Sequence, residues 1–115
     1  MIFSRHAGGN WLLAANSRYK FIVSNDSDPC LFDLAADPFE LRNIFPQPSA
    51  RETVRELGRA LAEYAKRCQE PHADQPAVRA DLAWAAEGTG EYVAPPRGVK
   101  KIKAGKTRRG PGAQP

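Results

Sequence analysis

The spacing of apolar and polar positions changes character along the chain. In "RYKFIVSN", residues 18–25, Tyr19, Phe21 and Val23 alternate with Lys20, Ile22 and Ser24. That period of two, in a β-rich composition, predicts a strand. "NWLLAANS" before it is short and apolar, and Asn16-Ser17-Arg18 between them is short and polar, so the pair reads as a hairpin. "NDSDP", residues 25–29, is a turn cluster, and "CLFDL", residues 30–34, reads as a third strand. "MIFSR" is a candidate fourth, set apart by Gly8-Gly9. From Val54 the period lengthens. Val54, Leu57, Leu61, Tyr64 and Cys68 recur at steps of three and four, which predicts an amphipathic helix packed on the sheet. Arg55, Arg59, Glu63 and Lys66 fall mostly off that stripe.

"PAVRADLAWAAEG" predicts a second, shorter helix with Pro76 in its first turn and Gly88 at its end. Val78, Leu82 and Ala85 or Ala86 would form its buried face, with Trp84 to one side. From about Pro95 the chain has no period and almost no apolar mass, so residues 95–115 are expected to be a disordered basic tail. The fold class is therefore α+β: a small antiparallel sheet of three to four strands, one packed amphipathic helix, a candidate second short helix and the tail. The expected division is 1–70 for sheet and helix, 71–94 for a linker with the second helix, and 95–115 for the tail.

At 115 residues the chain has room for one small domain. Its charge is uneven. Residues 98–115 hold six basic residues and no acid, and subtracting those six from the net +4 leaves a body of about −2. Such a tail would give weak, non-specific anion binding, without interleaved aromatics for base stacking. Cys30 and Cys68 make no disulfide framework and no metal-ligand spacing, and read as small apolar residues. No run approaches the roughly 18 apolar residues of a membrane span, and no secretory segment opens the chain. The expected location is cytoplasmic by default.

The densest local chemistry is "LFDLAADPFELRNI", residues 31–44. Asp37-Pro38 starts a turn, and Glu40 three positions after Asp37 predicts a capping box and a helical turn over 38–42. Asn43 suits a left-handed position at its end, and Leu34, Leu41 and Ile44 would hold it against the body. A second box, Ser49-x-x-Glu52, is expected to open the long helix. A catalytic carboxylate pair would need a cleft and a facing partner, and a metal loop would need closely spaced oxygen ligands; the spacing offers neither.

"RYKFIVSNDSDPCLFDLAADPFELRNIF" resembles the segment near the C-terminus of arylsulfatase-type sulfatases, in the alkaline-phosphatase-like superfamily. There R-Y-K-(apolar) leads into P-E-L-(Y/F)-D-L-x-x-D-P-x-E-x-x-N-(L/I). Arg18, Tyr19, Lys20, Pro29, Leu31, Phe32, Asp33, Leu34, Asp37, Pro38, Glu40, Asn43 and Ile44 match, and Cys30 stands where glutamate is usual. The likeness covers about residues 10–68. It implies a C-terminal subdomain of a sulfuric ester hydrolase, seated on a large α/β domain that carries the chemistry. That domain would hold calcium and a formylglycine made within a C/S-x-P-x-R motif; these 115 residues contain no such motif. The chain itself is thus expected to be structural and substrate-framing, inactive alone, and to hold no cofactor. Its expected partner is that catalytic domain or a second copy. Arg5 and His6, beside a flexible glycine pair, are candidate contacts to a sulfate or sugar group. The alternative is a free-standing interaction module using an exposed sheet face or the tail.

Overall fold

The computed structural model describes residues 1–5 and 11–97; the tail from 98 onward and His6 lie outside them. Four strands form one antiparallel sheet in chain order: β1 (Ile2–Arg5), β2 (Trp11–Ala15), β3 (Tyr19–Ser24) and β4 (Cys30–Asp33). The β2–β3 hairpin closes on Asn16, whose Oδ1 accepts the amides of Arg18 at 2.9 Å and Tyr19 at 2.6 Å. This is the short-range Asx bonding that makes asparagine a turn residue. A 3-10 turn at Pro48–Ala50 then leads into α1 (Arg51–Arg67), and α2 (Pro76–Glu87) follows.

The alternation in β3 sorts the sheet into two faces. Register pairs Leu12 with Val23, Ala14 with Phe21, and Phe21 with Leu31. These five are fully buried, against Val54, Leu57 and Leu61 of α1. The sequence placed the long stripe correctly except at its end, where Cys68 is exposed and Ala65 takes the buried position. Tyr64 is half-buried and stacks on Phe3 at 4.5 Å, tying β1 to the helix.

Residues 71–94 are more than a linker. Val78, Leu82 and Ala85 of α2 belong to the same core as the sheet and α1. The helices cross closely at Gly58, where a Cβ would stand 2.6 Å from the Ala85 Cβ. The glycine that weakens an isolated helix is thus what lets the second helix approach. Two arginines of α1 complete the contact. Arg51 donates to the carbonyls of Trp84, Ala85 and Gly88, and Arg59 to that of Ala86. They satisfy the C-terminal carbonyls that a helix leaves open and set positive charge at its negative end.

Two expected caps do not form. Ala50 sits at the start of α1 with no side-chain cap, because the 3-10 turn from Pro48 already supplies the entry; Glu52 pairs with Arg55 instead of reaching back to Ser49. Residues 38–42 are not helical either. Glu40 takes φ +57°, which breaks the helical path at its centre. Leu41, expected to pack inward, is 85% exposed, and Phe39 is 81% exposed.

Candidate functional site

Several of the matched residues of segment 18–44 make side-chain bonds within it. Arg18 on β3's entry forms a two-point contact with Asp33 at the end of β4, at 3.0 and 2.9 Å. The Arg18 hydrogen bond holds the Asp33 carboxyl below its usual range. Lys20 donates to both oxygens of Glu40, at 3.1 and 2.8 Å. Lys20 is thus the anchor for the loop after β4, and Glu40 reaches it from the left-handed conformation. The carboxylate of Asp37 accepts the amides of Leu41 and Arg42. Asn43 is a clamp and not a helix end. Its Oδ1 accepts the amides of Leu31 and Phe45, and its Nδ2 donates to the Pro29 carbonyl. Ile44 adds a backbone bond to Leu31. Together Asn43 and Ile44 cover the outer edge of β4, which would otherwise present unpaired groups.

The opposite face of the sheet is bare among the described residues. Register places Ile2, Ala15, Lys20 and Phe32 in one row and Ser4, Leu13, Ile22 and Cys30 in the next. Leu13, Ile22 and Phe32 are half-buried and Ile2 is exposed. Cys30 lies here as a free thiol, its pKa raised by burial; Cys68 is free as well. Charge on this face is confined to Lys20, already paired with Glu40.

A second cluster sits at the other end of the sheet and was missed by sequence reasoning. Asp81 is fully buried on α2. Tyr92 donates to its Oδ1 at 2.6 Å, and Arg97 Nη1 lies 2.8 Å from its Oδ2. Arg97, expected in the disordered tail, also bonds the Ser24 carbonyl, Asp28 and Tyr92. Burial pushes the Asp81 carboxyl up, only partly offset by Tyr92 and Arg97. Burial, with Asp81 beside it, also pushes the Tyr92 phenol well above its usual range. The signal available in sequence was one charged residue at a position shared with Val78, Leu82 and Ala85.

Tyr92 then packs edge-on against Phe45 and Trp84, with centroids 5.0 and 5.3 Å apart. Arg51 lies over the Trp84 ring at 3.9 Å. These rings and Pro29, Pro46 and Pro48 line an open pocket of about 720 Å³, with Asp28 and Glu91 among its lining residues.

Arg5, the candidate anion contact, is half-exposed at the end of β1 with its Nε 3.4 Å from Glu70 Oε1. An anion there would compete with a nearly buried carboxylate; His6 lies outside the described residues. Among the described residues no three His, Cys, Asp or Glu side chains converge as a metal centre requires. None of their helices is long and apolar enough to cross a membrane. No model of a known protein family matches the chain, and neither does any curated protein.

Proposed function

We propose that this chain is a C-terminal subdomain of a sulfatase-like hydrolase, one that frames the substrate cleft of an α/β catalytic domain and does no chemistry itself. The observation that carries this is the clamp. Residues matched at fixed spacing each make a bond that shapes β3, β4 and the loop after them: Arg18 with Asp33, Lys20 with Glu40, Asp37 with the Leu41 amide and Asn43 with the Leu31 amide. Such a spacing has a physical reason to recur in a family. The bare apolar face through Leu13, Ile22 and Phe32 supports the docking half of the reading, since surface of that kind marks interaction sites. Calcium and the formylglycine nucleophile would belong to the catalytic domain.

The test is co-expression with the catalytic domain of an arylsulfatase truncated before its own C-terminal subdomain. The expected result is a soluble complex that hydrolyses an aryl sulfate, and loss of that complex with Ile22→Lys or Leu13→Lys. A chain that does not bind the catalytic domain, leaves the apolar-surface dye ANS dark and melts cooperatively by itself would overturn the reading and favour a self-sufficient interaction module. Aryl-sulfate hydrolysis by the purified chain alone, with contaminating sulfatase excluded, would overturn it too. Nucleic-acid retention that persists after deletion of 98–115 would rule out the tail as its cause.

A further inference from the structure

Residues 88–97, after α2, form a strap with no helix or strand of its own. Gly90 turns it at φ +78°, a conformation that glycine adopts without strain. Beyond that turn the strap is bonded down at two points. Tyr92 donates to the buried Asp81, and Arg97 holds Asp28, Asp81 and the Ser24 carbonyl. These bonds fix the Tyr92 ring before any ligand arrives, which lowers the ordering cost of binding.

The pocket of about 720 Å³ is bounded by this strap and by the body, and its size falls in the range of about 300–1,000 Å³ that commonly holds a small organic molecule. Its apolar surface comes from the rings of Phe45, Trp84 and Tyr92 and from Pro29, Pro46 and Pro48. The rings pack edge-on at 5.0, 5.3 and 5.7 Å between centroids, so they make one wall and not a cage. Three charged residues also line the pocket, and two of them are already engaged. Arg51 donates to the carbonyls of Trp84, Ala85 and Gly88, at the negative end of α2. Asp28 is paired with Arg97 at 3.0 Å. Glu91 is exposed and has no ion pair among the described residues. The charge left open is therefore a single carboxylate beside an apolar wall. An anion would be repelled there, and a neutral molecule would leave the carboxylate unused. A cation with a flat apolar body meets both features, and aromatic rings attract cations as well.

We propose that this pocket is a binding site for a small organic amine, its flat apolar body against Phe45, Trp84 and Tyr92 and its ammonium toward Glu91. The site uses none of the residues of the bare sheet face and does not depend on the sulfatase reading. The full chain is to be titrated, by NMR of its aromatic side chains and by calorimetry, with three probes of one shape: 2-phenylethylamine, 2-phenylethanol and 3-phenylpropionate. The amine is expected to bind saturably, with Kd at or below about 1 mM, as its few heavy atoms allow. The alcohol should bind more weakly and the carboxylate weakest. The shifts should fall on Phe45, Trp84 and Tyr92 and spare the Phe3–Tyr64 stack. Glu91→Gln should weaken the amine about two- to fivefold, as loss of an exposed ion pair does, with the melt unchanged because the side chain is exposed. Glu91→Lys should invert the order of amine and carboxylate. No saturable amine binding, equal binding of amine and carboxylate, shifts elsewhere, or indifference to both Glu91 variants would overturn the proposal. So would amine binding that appears only after deletion of 98–115, which would make the chain's own basic segment the occupant.

Discussion

Replacing Asp81 tests how the last described segment is held. Its side chain is fully buried, and Arg97 is nearly so. Removing one partner of such a pair leaves the other charge without compensation, typically about 3–5 kcal/mol. Arg97 would still keep Asp28 and the Ser24 carbonyl, so Asp81→Ala belongs at the low end, about 3 kcal/mol. A domain of this size shifts by about 4–8 °C per kcal/mol, so the midpoint should fall by roughly 12–24 °C. Replacing both partners by apolar residues behaves differently. Asp81→Leu with Arg97→Met removes the desolvation of both charges together, and the double variant should lie within about 1 kcal/mol of the parent. Urea titration read by tryptophan fluorescence gives all four corners of the cycle. The pH sets a further check. Burial raises the native Asp81 pKa above 3.8. The native state therefore takes up a proton before the unfolded state does as pH falls. In Arg97→Met, whose lone carboxyl must be neutralised, the destabilisation should shrink as pH falls toward 3.8. A loss below about 1 kcal/mol for Asp81→Ala, or purely additive single and double effects, would refute the idea that one buried pair holds residues 88–97.

Asn43→Ala should cost about 1–3 kcal/mol by leaving the buried Leu31 amide unpaired, measured as a drop in denaturation midpoint. Gly58→Ala, which raises intrinsic helix propensity, should still destabilise by about 1–3 kcal/mol because its Cβ meets Ala85; adding Ala85→Gly should recover part of that in the same melt. Glu40→Gly removes backbone strain together with the Lys20 pair and should stay within about 1 kcal/mol of the parent. Asp33, held low by Arg18, contributes stability above 3.8 that disappears as pH falls through its lowered native pKa. An acid titration of Asp33→Asn should therefore lose that step, on the opposite side of 3.8 from the Asp81 effect.

Both helices, the β2–β3 hairpin and the alternating faces of β3 follow from short-range patterns: a period, an Asx turn, a proline at a helix start, a glycine at its end. The motif at 37–43 was also recognisable as turn chemistry, and Asp37 does accept two nearby amides. Its partners were read as local, and that is where the reading failed. A D-x-x-E spacing permits a capping box, yet it does not say whether Glu40 will find a better partner elsewhere. Lys20, twenty positions earlier, is that partner, and bonding it is incompatible with a helical turn. The Ser49 box failed in a milder way, since an adjoining 3-10 turn made it unnecessary.

Which segments are strands and helices, and which side of each is apolar, is legible in the chain because those preferences depend on a residue and its neighbours within about one turn. What the charges do depends on how the elements pack. Arg18–Asp33, Lys20–Glu40, Arg51 with the end of α2, and Arg97 with Ser24 and Asp81 join residues that sheet order and helix crossing bring together. Burial then decides their weight. A charge in water is nearly free of consequence, whereas the same charge under a packed helix must have a partner.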